Sequence, residues 1–328
     1  MEGRYDGEVV RVGDNARERF YDSRGYGTPD GEGVVLSPVE AAHLLYRGDL
    51  DSVDGQPFAA FLGNAGVLTS FLVYKDLRDR GFYVSVVTDE DGDAIDFLVH
   101  PRGEGPWGGA VEHRVRVTDE RETIELDELG DVVLGIVDEE SEITYLETDT
   151  ASVSGRSQRY FDTEIHGELF GDRVVCWNPP AVLHNRSFYG QPMDDDGTAL
   201  QLSLTEAVYL ARRGVLEIDV EAVIERGRGI EGQRFDRRLT VYRRLRERGL
   251  VPKTGFKFGA DFRAYTEVED VENLGHSELL IRVLPNDGTA TPREIALDVR
   301  LAHGVRKRMV FALVGEEIRW LSVGRLTP

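Results

Sequence analysis

The apolar positions of this 328-residue chain fall into two series that echo one another at about half its length. Leu36-Ser37-Pro38-Val39-Glu40-Ala41-Ala42-His43-Leu44-Leu45-Tyr46-Arg47-Gly48 returns as Leu202-Ser203-Leu204-Thr205-Glu206-Ala207-Val208-Tyr209-Leu210-Ala211-Arg212-Arg213-Gly214. Each copy has Ser or Thr ahead of Glu and stops at glycine, the pattern of a capped amphipathic helix. Val73 to Gly81 likewise matches Val241 to Gly249, and the two offsets are 166 and 168 residues. Upstream, Tyr21 to Gly27 is echoed by Asn185 to Gly190. Val132 to Glu140 resembles Met309 to Glu317, and both lead into alternating residues that predict strands. Two copies are too few for a solenoid. The pattern predicts a tandem duplication folded as a pseudo-dimer, divided in the polar stretch from Thr148 to Gln158 into residues 1–155 and 156–328.

Each half reads as helices first and strands later, which is the α+β class. In the second half a helical part of about residues 160–250 includes Asp219 to Arg248, with a turn near Gly227–Gly232. A part of about residues 251–328 follows, with strands over Gly255–Val268 and Glu278–Leu284. The loop Pro285 to Ala290 leads to a helix from Pro292 to Ala302, for which Pro292 behind Thr291 is the start signal. Two strands finish the chain.

With 41% apolar residues the chain can bury ordinary cores, so its formal charge of −21 does not mean disorder. Nucleic-acid binders usually carry a basic footprint, and here 60 acidic side chains face 39 basic ones. Four lysines stand against thirty-five arginines. Acid excess with lysine almost eliminated describes a surface adapted to molar salt, where the Debye length is only ~3 Å and carboxylates repel one another little. No run of eighteen apolar residues occurs, and Met1-Glu2-Gly3-Arg4-Tyr5-Asp6 is neither a signal nor a transit peptide. One cysteine, Cys176, forms no intramolecular disulfide, and a cytoplasmic protein is expected.

Lysine scarcity makes Lys307 conspicuous. It ends the run Arg300-Leu301-Ala302-His303-Gly304-Val305-Arg306-Lys307, where a compact ammonium is kept although guanidinium is used nearly everywhere else. Upstream lie Gly255-Phe256-Lys257-Phe258-Gly259, Phe262-Arg263-Ala264-Tyr265 and Gly275-His276-Ser277. Tyr265, His276 and Lys307 offer a proton donor or acceptor, an imidazole of the kind that titrates near neutrality, and a fixed cation. That trio suits phosphodiester cleavage without metal. Singly, each has an ordinary alternative: a packing tyrosine, a loop histidine, a solvated lysine. Their order within one half sets them apart. Opposite Lys307 the first half has Gly130 and Asp131, and its one lysine, Lys75, lies beside Asp76 and Asp79 on a polar helix face. His303 reads as a helix-end residue, and His43, His100, His113, His166 and His184 have no metal-ligand spacing.

In Gly255 to Tyr265, Gly275 to Val283 and Arg300 to Ala312 the chain resembles the archaeal tRNA-splicing endonucleases, and its duplicated plan extends the resemblance to most of its length. One degenerate and one complete repeat resemble the tandem-repeat, homodimeric class, here of haloarchaeal type. The resemblance implies a restriction-endonuclease-like catalytic part, a mixed sheet with a helix. It implies excision of introns from precursor tRNA at a bulge–helix–bulge fold, with attack by the RNA's own 2′-hydroxyl. The ends left are a 2′,3′-cyclic phosphate and a 5′-hydroxyl, and neither metal nor other cofactor is needed. Tyr265 would act as general base or orient the 2′-hydroxyl, His276 would protonate the leaving 5′-oxygen, and Lys307 would stabilise the phosphorane-like charge.

Phosphate contacts weaken steeply with salt, so an enzyme in brine should rely on shape, hydrogen bonds and stacking on unpaired bases. The resemblance makes Arg300 a base-clamping arginine, with Arg325 or Arg319 as its partner. Lys257 and Arg263 are further candidates for phosphate. An acidic loop docks repeats in the family, and Asp287 occupies that place. Apolar contacts near the C-terminus, including Val310, Phe311 and Trp320, are expected to carry assembly, since an exposed ion pair contributes little in molar salt. Two other readings stay open. A metal-dependent nuclease would need two acidic ligands beside Lys307, for which Glu294 and Asp298 are the nearest pair. A non-catalytic structural or RNA-binding subunit would show a broken trio. No membrane partner is expected.

Overall fold

Ser37 and Ser203 each open a helix by the same local chemistry: the hydroxyl accepts from the N–H of Glu40 or Glu206, whose carboxylate returns to the serine N–H. A computed structural model of the chain describes residues 1–13, 15–87, 95–157 and 164–328. Gln158, the last residue of the expected boundary stretch, and residues 160–163, where the expected helical part begins, lie outside the described residues.

Ahead of the first capped helix stand β1 (Glu2–Tyr5), β2 (Val10–Val12), β3 (Thr28–Asp30) and β4 (Gly33–Leu36), and β5 (Ser52–Val53) follows it. They form a five-stranded sheet in the order β3-β4-β2-β1-β5. The helices here are α1 (Pro38–Arg47), α2 (Phe58–Ala65) and α3 (Leu68–Asp79). Then come β6 (Val84–Val86), β7 (Phe97–Val99), β8 (His113–Asp119), β9 (Ile124–Glu125), β10 (Val132–Val137) and β11 (Ile143–Thr150). The second half opens with β12 (Ile165–Phe170), β13 (Arg173–Trp177), α4 (Ala181–Asn185), β14 (Gln191–Pro192), β15 (Ala199–Ser203), α5 (Leu204–Arg212) and β16 (Leu216–Glu217). Its small sheet, β14-β15-β13-β12-β16, has the same order and pairing senses as the first. After α6 (Val220–Glu231) and α7 (Gln233–Glu247) come β17 (Val251–Thr254), β18 (Phe262–Tyr265), β19 (Leu279–Pro285), β20 (Thr289–Ala290), α8 (Pro292–Gly304), β21 (Arg308–Val314) and β22 (Ile318–Leu326).

Three expectations are corrected. Neither half is helices first, because strands of two to six residues precede and follow the capped helix; strands this short hold too few alternations to register as a period. The turn expected near Gly227–Gly232 contracts to Gly232 alone, with φ 60° and ψ −143°. Gly227 stays helical, and a Cβ there would lie 2.5 Å from the Phe235 ring, so α6 and α7 cross closely at that glycine. The strand expected from Gly255 is broken by a tight turn over Phe256–Phe258.

The largest sheet has ten strands, β17-β18-β19-β21-β22-β11-β10-β8-β7-β6. Read inward from either edge, the pairings run antiparallel, antiparallel, parallel, antiparallel, and the halves meet where β11 runs against β22 from Tyr145–Leu326 to Thr150–Leu321. One core straddles this seam, joining Leu134, Ile136 and Leu146 to Leu280, Ile295, Phe311, Leu321 and Val323. β20 also pairs with β9, tying the loop after Pro285 to the first half. Val310, Phe311 and Trp320 are therefore corrected as assembly candidates. All three are buried within the chain, Phe311 in the seam core and the other two in a neighbouring core beneath α7. An alternating strand gives away one buried face, and only the tertiary arrangement says that both faces are covered.

Candidate active site

The ladder registers bring the candidate residues to one end of the second-half sheet. Ala264 on β18 lies opposite Leu279 on β19, and Leu279 opposite Arg308 on β21. Because β18 and β19 are antiparallel while β19 and β21 are parallel, one step outward aligns Tyr265, Glu278 and Lys307 in a row across three strands. At about 4.8 Å per strand the Cα atoms of Tyr265 and Lys307 are about 10 Å apart, with Glu278 between. The row is held by backbone bonds: Glu278 N–H donates to Ala264 O (3.2 Å) and Arg308 N–H to Glu278 O (2.9 Å). Thr266 N–H donates to the Glu278 carboxylate (3.0 Å).

His276 is exposed two residues before Glu278, while Ser277 between them is buried. The Lys307 ammonium donates to Ser277 O, so the cation clasps the segment that carries the imidazole. Lys307 itself is placed by the end of α8. Its N–H donates to Ala302 O (2.9 Å), Arg306 N–H donates to His303 O (3.0 Å), and Arg306 turns the chain with φ 56°. His303 thus acts through its backbone in closing the helix.

Electrostatics couple the ends of the row. Burial pushes the Tyr265 phenol above its ordinary value, Arg263 opposes this, and Glu278 adds to it. Burial pulls Lys307 below its ordinary value, Arg263 adds to that, and Glu278 opposes it. Arg263 lies over the Tyr265 ring at 5.6 Å, and the Lys307 ammonium lies 5.5 Å from the Phe258 ring. Sequence reasoning missed Glu278; its signal was the alternation His276-Ser277-Glu278, with two polar residues flanking one that turns inward.

The RNA-binding candidates separate by what already holds them. Arg325 is exposed and lines a cleft of about 630 Å³ together with Lys307, His303, Arg306 and Arg308. Arg300 is exposed on α8 but does not line that cleft, although its neighbour Val299 does. Arg319 donates to Asp127 O in the first half, so its guanidinium is engaged within the chain. Lys257 is exposed in the turn before β18, and Asp287 is exposed in the loop before β20. Glu294 caps α8 through Thr291, and Asp298 is paired with Arg282 at 2.7 Å, so these two acids serve the helix rather than a site beside Lys307. Among the described residues, no group of three His, Cys, Asp or Glu side chains is placed to hold a metal ion.

The matching row of the first half holds His100, Glu112 and Gly130, by the registers Val99–His113 and Val133–Val115. Glu112 N–H donates to Val99 O (2.8 Å), as Glu278 does to Ala264. The acid recurs while the tyrosine and the lysine do not, and a single turn, Leu126–Glu128, stands where the second half has α8.

Behind Tyr265 a buried acid is satisfied differently in the two halves. Burial pushes Glu206 up, but the Lys253 ammonium at 3.2 Å, the N–H groups of Ser203 and Gly190, and Arg246 together hold it below its ordinary value. Burial of Glu40 wins over the N–H groups of Gly27 and Ser37, and its carboxyl is pushed up. A depressed carboxyl contributes stability above its ordinary value of about 4.5, lost as pH falls through the depressed value. A raised one contributes below about 4.5, lost as pH rises through the raised value. The urea-unfolding deficit of Glu206→Gln should therefore shrink as pH falls from neutrality, and that of Glu40→Gln should grow. Parallel trends in the two variants would contradict this assignment.

Comparison with known proteins bears on the same segments. Residues 235–320 match the family description "tRNA intron endonuclease, catalytic C-terminal domain". The description "tRNA intron endonuclease, N-terminal domain" matches twice, over residues 1–63 and 165–225. Among relatives, the tRNA-splicing endonuclease of Natronomonas pharaonis is 62% identical and that of Haloarcula marismortui 58%, each over the whole of both chains. That of Methanosarcina mazei is 37% identical over 98% of this chain and 97% of its own. Among the described residues, no helix is long and apolar enough to cross a membrane. With matches spanning both halves and the whole row of Tyr265, Glu278 and Lys307, the chain belongs to the tRNA-splicing endonuclease family.

Proposed function

We propose that this chain excises introns from precursor tRNA at bulge–helix–bulge splice sites by attack of the RNA's 2′-oxygen on the adjacent phosphorus. The observation that carries the proposal is the row of Tyr265, Glu278 and Lys307 with His276 on the clasped segment beside it. The P–O2′ bond forms and the P–O5′ bond breaks, leaving a 2′,3′-cyclic phosphate and a 5′-hydroxyl. An ordinary phenol is already protonated near neutrality, and burial pushes Tyr265 further the same way, which makes orienting the 2′-hydroxyl its first task. Arg263 is the cation that favours the phenolate able to take the proton. His276 gives a proton to the leaving O5′, and Lys307 stabilises charge on the phosphorane-like transition state.

The protein is a cytoplasmic homodimer of tandem repeats, 1–155 structural and 156–328 catalytic. Matching strand orders and the twice-matched N-terminal description support the repeat. The catalytic part is restriction-endonuclease-like, a mixed sheet carrying α8. Arg325 in the Lys307 cleft and Arg300 outside it engage unpaired bases, and Lys257 meets phosphate. Asp287 marks the docking loop of the second half; its counterpart in the first carries Asp119, Glu120 and Glu122.

An intron-containing precursor tRNA in molar potassium chloride with EDTA tests this reading. Expected are cuts at both splice sites with cyclic-phosphate ends, and a particle of twice the 36.7 kDa chain mass by light scattering. Cleavage only after magnesium is added would sink the mechanism, and a monomer that cuts at full rate would sink the assembly.

A further inference from the structure

Phe188 has φ 53°, a left-handed backbone that a bulky aromatic residue rarely adopts. Such outliers persist where surroundings over-determine them, and they cluster at functional sites. Its ring stands edge-on to Tyr265, with centroids 5.7 Å apart and planes at 62°. The two share a small core with Val251 and Val268.

The surroundings that hold Phe188 are specific. The Lys253 ammonium donates to Phe188 O (3.2 Å), Gly190 O (2.9 Å) and the Glu206 carboxylate (3.2 Å), and it lies 4.7 Å from the Phe188 ring. Its three protons are thereby used, and its side chain is 11% exposed, so it is not a phosphate contact. Arg246 donates to Ser187 O (2.9 Å) and lies 3.9 Å from the Tyr189 ring.

The first half repeats the frame without the device. Gly27 N–H donates to Glu40 as Gly190 N–H does to Glu206, and Arg78 lies 4.2 Å from the Tyr26 ring as Arg246 lies over Tyr189. The position of Phe188 is taken by Gly25, at φ 65°. By ladder register Ser85 stands for Lys253 and His100 for Tyr265, and those two are hydrogen-bonded to each other at 2.8 Å. Three positions differ together, and in the second half all three meet.

We propose that Phe188 and Lys253 are positioning residues for Tyr265: Lys253 pins the left-handed backbone of Phe188, and the Phe188 ring sets the tilt of the phenol toward the Glu278–Lys307 row. The proposal rests on the reading of Tyr265 as the group that meets the RNA 2′-hydroxyl. It is tested by single-turnover cleavage of precursor tRNA at saturating enzyme, with RNA binding measured separately, for Phe188→Gly, Phe188→Tyr and Lys253→Arg. Phe188→Gly installs the first-half residue in a backbone that glycine accepts. A small tilt error at a reacting group costs roughly 10- to 100-fold in rate. That loss is expected for Phe188→Gly and Lys253→Arg at unchanged RNA affinity, with Phe188→Tyr restoring most of the rate. Within Tyr265→Phe, adding Phe188→Gly should cost nothing further, because a positioning residue acts only through what it positions. Wild-type rates in both Phe188→Gly and Lys253→Arg, or a further loss in the Tyr265→Phe background, would overturn the proposal while leaving Tyr265 its role. Should Phe188→Gly fail to fold, Lys253→Arg carries the same comparison. Full activity of Tyr265→Phe itself would instead remove the reading beneath it.

Discussion

Lys307→Ala should lower single-turnover cleavage of precursor tRNA by roughly 10²- to 10⁴-fold, the range found when one transition-state donor or one general acid is removed. The clasp on Ser277 O makes the effect compound, since losing the ammonium also frees the segment that carries His276. His276→Ala should fall in the same range, and the double variant should lose less than the product of the two, because the residues share that segment. Lys307→Arg should not rescue. A guanidinium is larger, planar and delocalised, so in the place of an ammonium that already sits on Ser277 O and 5.5 Å from the Phe258 ring it presents no compact point charge at the same spot. Global stability should change by less than about 1 kcal/mol, because Lys307 is half-buried at a strand end outside the apolar cores. A Lys307→Ala enzyme that cuts at the wild-type rate would remove Lys307 from the chemistry, and a Lys307→Arg enzyme that does would show that any fixed cation serves there.

Leu146→Ala in the first half should cripple the second. Leu146 is buried in the core that also takes in Phe311, Leu321 and Val323, and its strand pairs with the last strand of the chain. Truncating a buried leucine costs about 2–5 kcal/mol, and Phe311→Ala from the other side of the seam should cost about 3–5 kcal/mol. Whole domains are stable by only about 5–15 kcal/mol, so either loss is large. Both variants should unfold in a single transition in molar salt, with cleavage lost at the same denaturant concentration as ellipticity. The reason is geometric: ten strands form one sheet across the seam, and the candidate row of Tyr265, Glu278 and Lys307 is anchored on β21, whose far neighbours belong to the first half. Two separated transitions in Leu146→Ala, with cleavage surviving the first, would show that the halves are independent.

The sequence alone determined much of this protein. The echoed helices with their Ser–Glu caps were legible because a capping box is local chemistry, written within four residues. Lys307, His276 and Tyr265 stood out as candidates because lysine is scarce in the chain and because the residues follow a family order. The same scarcity pointed equally to Lys253, whose partners Phe188, Gly190 and Glu206 lie 47 to 65 residues away and could not be seen. Tertiary structure decided the rest. Strands of two to six residues carry too little periodicity to declare themselves, so the small sheets went unread. Burial of Val310, Phe311 and Trp320 within one chain, rather than between chains, depended on β22 finding β11 across 171 residues or more and on α7 covering the other face of the sheet. Glu278 entered the row only through the registers of β18, β19 and β21, because a sheet brings together residues that share a ladder step, whatever their separation in sequence.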